Sequence, residues 1–368
     1  MPAKKYRVAV IGRTGKGNYG HGLDTCWLKV PNVEIVAVSD DDETGRAAAV
    51  KRLKAPQAYA DYRQMLDKEK PDIAAICPRW PDVHPEMVLA CADRGIHMFC
   101  EKPLARTLAE ADVMVEACER KHVKCAIAHQ TRYSPRVKIV KEMITSGQLG
   151  DIVELRGNGK EDARGGGEDM MVLGTHIFDL MRHFAGDARW CFARCNVEGR
   201  KALIAEAREA REPIGPILGD HVTAQYGFDG LTLGTFFTHK AKAGAGKRYS
   251  LEIRGTKGQV QMGFGVFGPT YYSDDVSWMH GQSKTAWQPI TSNGLNKPET
   301  LDTKAIDNGN IWIVNDLIDA IEKDRLPLDG VHDGRAALEM ILAVYESHRQ
   351  DKAVELPLKN RNHPLAKA

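Results

Sequence analysis

The sequence predicts an α/β protein in two parts: an N-terminal domain with a doubly wound parallel sheet, then a C-terminal α+β domain on a large open, mostly antiparallel sheet. Three observations predict it. Strand-length apolar runs alternate with helical patterns up to about residue 128, a glycine-rich loop follows the first of those runs, and the apolar period shortens to two after residue 150. The domains are therefore expected at 1–128 and 129–368, with the C-terminal helices packing back.

Each element has its own signal. Arg7–Ile11 (RVAVI) is a β-branched run closed by Gly12, and Val33–Val38 is a second strand that ends at Asp40. Between them the pattern reads as glycine loop and then helix. Asp72–Cys77, Ile96–Cys100 and Val123–Ala128 continue the strands, and His84–Arg94 and Leu108–Lys121 supply the helices between them. Farther on, DIVELRGNG, HVTAQYGF, LTLGTFFTH, YSLEIRG and GQVQMGF alternate in and out as antiparallel strands do. One helical pattern, Met171–Phe184, interrupts them, and two more, Ile311–Lys323 and Gly334–Gln350, follow.

Composition narrows the function classes. A formal net charge of +2 on 368 residues, with acids and bases interspersed, leaves no footprint for nucleic acid or anionic lipid. No apolar stretch approaches a bilayer span, and MPAKKYRVAV runs straight into the first strand, so neither a membrane partner nor a leader is expected. Eight cysteines occur without C-x-x-C spacing, and Cys77, Cys91 and Cys100 fall in apolar runs. They read as reduced core thiols of a cytoplasmic protein, Cys191 and Cys195 included.

Two motifs carry chemistry. Gly15, Gly17 and Gly20 satisfy G-x-G-x-x-G after a strand, where glycine permits the tight turn and the close approach of backbone N–H groups to a pyrophosphate. Gly12 lies three residues upstream, so the loop is longer than the usual Rossmann turn. Asp40 stands where such a fold offers an acid to the adenosine ribose, and Asp41 and Asp42 behind it would repel a 2′-phosphate. NAD is therefore expected over NADP, with Asp42 as a helix N-cap. The second motif is E-K-P at 101–103. Pro103 biases Lys102 away from helix and holds its ammonium at a stiff strand end.

The order of these and later motifs resembles the glucose–fructose oxidoreductase, inositol dehydrogenase and rhizopine catabolism family over nearly the whole chain. The resemblance rests on the glycine loop, His84, E-K-P, TRYSP at 131–135, GGG at 165–167, GTHIFD at 174–179, IRGTKG at 253–258 and the run from Gly334 to Ser347. It implies oxidation of a secondary alcohol on a sugar, glycoside or cyclitol, with the ring 3-position as one candidate. Lys102 would steady the developing alkoxide and His176 would take the hydroxyl proton. It implies cofactor contacts from Gly12, Thr14, Gly15, Gly17, Gly20, Asp40, Pro78, His84, Glu101 and Lys102. Substrate contacts would come from Arg132, Tyr133, Lys160, Glu161 and Asp179, with Arg164 a further polar candidate, and the open sheet would pair copies into a homodimer or homotetramer.

One departure stands out. Many family members place an aspartate four residues before the histidine, and here that residue is Val172. Glu168, Asp169, Glu161 and Asp162 are the nearest acids to replace it. No metal is expected, although Glu161, Glu168, His176, Asp179 and His183 are residue types that could ligate one. Trp278, His280 and Trp287 read as packing or as a sugar-stacking surface. Two alternatives stay open: a redox-neutral glycosidase that works through a 3-keto intermediate, and a non-catalytic cofactor-binding protein.

Overall fold

The computed structural model describes residues 4–241, 247–304 and 308–366. Contacts divide the chain into two compact units. The first comprises residues 1–129, 212–214 and 306–335, and the second comprises 130–211, 215–305 and 336–368.

In the first unit, β1 (Tyr6–Ile11), β2 (Val33–Ser39), β3 (Gln57–Tyr59), β4 (Ile73–Ile76), β5 (His97–Cys100) and β6 (Cys125–Ile127) form one sheet in the order β3-β2-β1-β4-β5-β6. Every pairing in it is parallel. Helices α1 (Glu43–Leu53), α2 (Tyr62–Glu69), α3 (His84–Asp93) and α4 (Leu108–Arg120) supply the crossovers. The central strand β4 (IAAI) is apolar and buried at every position, as a parallel strand covered on both faces is. Strand order reverses direction between β1 and β4, which is where an open α/β sheet makes a crevice at its carboxyl edge.

One expectation fails here. The helix anticipated after the glycine loop is a four-residue 3₁₀ turn, Cys26–Lys29. The long loop uses up the residues a first α-helix would need, and Pro31 follows at once.

In the second unit, α5 (Pro135–Thr145) leads into β7 (Ile152–Asn158), and α6 (Gly167–Val172) and α7 (Gly174–Ala185) precede β8 (Trp190–Val197). Three short strands follow, β9 (Arg200–Lys201), β10 (Arg208–Glu209) and β11 (Pro216–Ile217), the last two paired with each other. Then come β12 (His221–Gly227), β13 (Leu233–His239), β14 (Ser250–Gly255), β15 (Gln259–Gly263), β16 (Thr270–Ser273), β17 (Gln288–Thr291) and β18 (Gly294–Leu295). Helices α8 (Asn308–Glu322) and α9 (Val331–Gln350) and strand β19 (Val354–Glu355) close the chain. The large sheet runs β18-β17-β16-β15-β14-β7-β13-β12-β8-β19, with β9 on β8, and is antiparallel except where β13 meets β7.

Its inner face packs on α7. Gly157 in β7 is glycine because a Cβ there would lie 2.4 Å from Ile177 and 2.8 Å from Met181. Phe178 of the same helix meets Phe236 at 4.6 Å and Tyr226 at 5.7 Å between ring centroids. The expected single helix Met171–Phe184 is two helices. Gly174 lies where a Cβ would come 2.9 Å from the Phe236 ring, and the chain breaks at Leu173 to make that approach. All eight cysteines are free and buried. Among the described residues no helix is long and apolar enough to cross a membrane.

Candidate active site

The carboxyl edge of the parallel sheet gathers the glycine loop, the end of β2 and the end of β5. Gly15, Gly17 and Gly20 all have positive φ, at 77°, 91° and 66°. Each has a different reason. A Cβ on Gly15 would meet nothing within 4 Å, and the Gly15 amide donates to the Asn18 side-chain oxygen at 2.9 Å, which closes the turn on itself. A Cβ on Gly17 would lie 2.8 Å from the amides of Arg79 and Trp80, because the Arg79 amide donates to the Gly17 carbonyl at 3.1 Å and stitches the loop to the turn after β4. A Cβ on Gly20 would strike the Glu101 carboxylate at 2.5 Å. Gly12 in turn is covered by the ring of Tyr19, 2.1 Å from where its Cβ would stand.

Glu101 is the hub of this region. Fully buried, it accepts from the His21 amide at 3.1 Å and from the Lys102 amide at 2.9 Å, and it pairs with His21 Nδ1 at 2.9 Å. Burial opposes its ionisation, but the His21 hydrogen bond, the Lys102 charge and the Lys102 amide outweigh burial and hold the carboxyl below its usual range. Asn310 adds a bond from its amide nitrogen to the His21 carbonyl at 2.9 Å. The result is that Lys102, itself 4% exposed, is anchored through its own backbone to the glycine loop.

Other expected cofactor residues take supporting roles. His84 is fully buried; one ring nitrogen faces the Pro78 carbonyl at 2.7 Å and the other faces the carbonyls of Pro103 and Leu104 at 3.1 Å. It staples the turn after β4 to the turn after Lys102 and leaves no nitrogen for a ligand. Asp40 is likewise sealed, at 1% exposure. Its carboxylate accepts from the Thr14 amide (3.1 and 3.2 Å), the Thr14 hydroxyl (2.7 Å) and the Asp42 amide (3.0 Å). Asp42 caps α1 as expected, accepting from the Gly45 amide at 2.6 Å.

Sequence reading missed a pair at the end of β6. His129 Nδ1 and Asp329 Oδ2 are 2.9 Å apart, both residues are buried, and the Ile127 amide donates to the Asp329 carbonyl. The Ala128 amide donates to Cys100, which puts His129 on the strand beside the one that ends in Lys102. The two residues are 200 positions apart, and no motif announces them.

In the second unit, His176 lies on α7 at 3% exposure, with its ring centroid 4.9 Å from that of Phe264. Phe264 is held in turn by Tyr249, stacked at 3.9 Å, whose hydroxyl donates to the Leu173 carbonyl at the break between α6 and α7. Val172 is buried among the residues of α6. Asp179, one turn beyond His176, is paired with Arg132 at 2.5 Å, so these two expected substrate residues meet each other. Tyr133 is half-buried in the same 3₁₀ turn as Arg132.

The acids near the glycine triplet divide in the same way. Asp169 accepts from Thr238 Oγ1 at 2.5 Å and from the amides of Lys160 (3.3 Å) and Glu161 (3.1 Å), which folds the 159–161 segment over α6. Burial nonetheless raises its pKa above the usual carboxylate value. Glu168 is buried beside it in sequence, at 3% exposure. Glu161 is 2% exposed with φ of 59° and is held by His239 Nδ1 at 3.0 Å and Arg248 Nε at 3.7 Å. A buried acid in left-handed backbone is a costly arrangement of the kind found at functional sites. Asp162 is clamped by Arg164, whose hydrogen bonds hold its pKa far below the usual range, and Lys160 reaches it at 3.5 Å. Of the residue types able to ligate a metal, Asp179 and Glu161 thus face cationic or imidazole partners, and His183 offers its carbonyl to Lys141 at 2.7 Å.

The glycine triplet serves packing. A Cβ on Gly165 would lie 2.1 Å from the His239 carbonyl, on Gly166 2.3 Å from the Gly219 carbonyl and on Gly167 2.7 Å from Leu218. Trp278 and Trp287 pack edge to face at 5.5 Å, with His280 beside Trp278.

Comparison with known proteins identifies the family. A model described as oxidoreductase family, NAD-binding Rossmann fold, matches residues 6–129, and the family's C-terminal alpha/beta domain matches 141–356. The chain belongs to the glucose–fructose oxidoreductase, inositol dehydrogenase and rhizopine catabolism family. Its relatives include a levoglucosan dehydrogenase of Pseudarthrobacter phenanthrenivorans, 26% identical over 63% of this chain and 65% of that protein. A D-apiose dehydrogenase of Paraburkholderia graminis is 30% identical over 50% of this chain and 51% of that protein. The chain thus spans between about half and two thirds of the length of these curated relatives. A levoglucosan dehydrogenase structure solved with NADH and levoglucosan superposes with a TM-score of 0.77 at 20% identity, over 96% of this chain and all of that one. That likeness is one of fold. This family member accordingly carries an NAD-binding domain, with the glycine loop at the switch point of its sheet.

Proposed function

We propose that the protein is an NAD-dependent dehydrogenase that oxidises a secondary hydroxyl of a sugar, glycoside or cyclitol. The observation that carries this reading is Lys102, a nearly buried cation pinned at the carboxyl edge of an NAD-binding sheet by the Glu101 bond to its own amide. NAD, when bound, supplies the hydride acceptor. Lys102 holds positive charge where the substrate oxygen becomes alkoxide-like, in a site dry enough for that charge to act strongly. His176 takes the hydroxyl proton, its ring fixed by Phe264 where relatives would use an aspartate. Arg132 and Asp179 present a paired donor and acceptor to substrate hydroxyls. The named relatives are sugar dehydrogenases, which supports this substrate class over glycoside cleavage.

We take the protein to be cytoplasmic, since eight buried free thiols suit a reducing compartment. We take it to be a homodimer or homotetramer, since Phe192, Leu233 and Tyr271 stand exposed on the outer face of the large sheet. The activity is tested by incubating the protein with NAD and a panel of aldoses, anhydrosugars, glycosides and cyclitols. NADH that accumulates in step with ketone supports the reading. Glycoside cleavage without net NADH supports a redox-neutral route, and no turnover across the panel removes the enzyme assignment.

A further inference from the structure

We infer that His129, held by Asp329, is a second acid–base residue of the enzyme, one that handles the proton released when the alcohol is oxidised. The inference rests on the dehydrogenase reading. Oxidation of a carbinol parts with a hydride and a proton: the hydride carries its electron pair to NAD, and the O–H proton needs a basic atom to receive it. The chain leaves β6 at His129, beside the strand that ends in Lys102, since Ile127 pairs with Cys100 and the Ala128 amide donates to the Cys100 carbonyl at 3.0 Å. That is the carboxyl edge of the sheet, where an open α/β fold receives its ligands.

Two other histidines of the same unit show what is particular to this one. His84 is as deeply buried, but both of its nitrogens face backbone carbonyls, which makes it a staple. His21 also meets a carboxylate, but its side chain is 53% exposed. The His129 and Asp329 side chains are 1% and 0% exposed, with Nδ1 and Oδ2 2.9 Å apart. An ionised carboxylate only accepts, so Nδ1 carries the imidazole proton and the basic lone pair is on Nε2. When Nε2 gains a proton, the Asp329 charge compensates the imidazolium, and the low dielectric around a buried pair strengthens that compensation. Clamping does not account for the pair, because backbone already fastens the two segments: the Ile127 amide donates to the Asp329 carbonyl at 3.1 Å, and Ala126 bridges Gly330. Burying an acid and an imidazole there adds a desolvation cost that those ties do not require. Asp329 is thus the positioning residue, and His129 holds the proton until it passes to water after the product leaves.

Steady-state kinetics of the full-length protein on a substrate from the active panel tests this, with melting temperature and NAD titration read alongside. His129→Gln should lower turnover by about a hundredfold and Asp329→Asn by about tenfold, each with substrate KM and NAD dissociation constant within about threefold of the parent. Two histidines that serve one proton act as a unit, so His129→Gln combined with His176→Ala should lose no more than about threefold beyond the worse single variant. A clamp would instead multiply the two losses. Folded His129→Gln and Asp329→Asn proteins whose turnover stays within about threefold of the parent overturn the inference, as does a double variant whose losses multiply. If His129→Gln does not fold, His129→Asn and Asp329→Asn carry the same comparison. A parent protein without turnover across the panel overturns the dehydrogenase reading itself, and this inference with it.

Discussion

The glycine loop with the end of β5 and the α6–α7 segment are both rich in acids and glycines, yet they hold the residues proposed as catalytic, Lys102 and His176, by different means. In the first, a buried carboxylate does the holding: Glu101 ties His21, the loop and the Lys102 amide together, and charge compensation keeps it ionised. In the second, the carboxylate expected at position 172 is a valine, and shape replaces charge, with Phe264 and Tyr249 stacked behind His176. The nearby acid, Asp169, fastens backbone instead and is pushed toward its neutral form by burial. An acidic residue near a site is thus not yet a participant in it. What it does depends on which amides reach it first.

The largest effect that sharpens this contrast is on turnover. Lys102→Met should raise the barrier by about 3 kcal/mol, roughly a hundredfold or more in turnover, because the charge matters mainly as the alcohol oxygen becomes alkoxide-like. NAD affinity measured by titration should stay nearly unchanged, and Lys102→Arg should not restore the rate, since a guanidinium is larger and holds its charge differently. Steady-state rates at saturating cofactor and substrate check both points.

A comparable loss follows from the base. His176→Ala should reduce turnover by about a hundredfold with little change in NAD binding. Phe264→Leu should cost less, about tenfold, because it loosens the ring without removing it. Equal activity of the Phe264 variant and the parent would break the claim that shape replaces the missing aspartate.

Stability should separate the regions as well. Glu101→Ala leaves His21 and the Lys102 amide without their buried acceptor and should cost about 3 kcal/mol by denaturant unfolding. Thr238→Val, which removes one donor to Asp169, should cost about 1 kcal/mol.

The smallest effect is in the pH dependence, and here the regions have opposite signs. Glu101 has a lowered folded pKa, so its contribution is present above the unfolded value and is lost as pH falls through the folded one. Asp169 has a raised folded pKa, so its contribution is present at low pH and is lost as pH rises through the folded value. Relative to the parent, Glu101→Gln should therefore gain and Asp169→Asn should lose stability on acidification from about pH 6 to pH 4, each by about 2 °C in melting temperature. Parallel slopes would show that the two acids do not differ as described.

Much of the fold was legible because periodicity is a local signal. The five anticipated parallel strands fall within two residues of their expected ends, although the short edge strand β3 went unread, and the switch to alternation after residue 150 marks the second sheet. The break between α6 and α7 was not legible, because it is imposed by Phe236, far along the chain. The missing first α-helix was hidden for another reason: glycines announce a loop without announcing how many residues it will use. Lys102 and His176 were singled out by motif, but the commitments of Asp40 to Thr14, Glu101 to His21 and His129 to Asp329 span 26, 80 and 200 positions. Pairs of that kind leave no spacing to read, so the sequence points to the place and the packing assigns the task.

The central claim is hydride transfer from a carbinol carbon to NAD, and following the hydrogen tests it most directly. A substrate from the active panel, deuterated at the carbon that becomes the ketone, should yield NADH labelled on the nicotinamide ring, with turnover slowed severalfold whenever that transfer limits the rate. Deuterium that appears in water and not in the nicotinamide would contradict hydride transfer, and with it the assignment of this protein as a dehydrogenase.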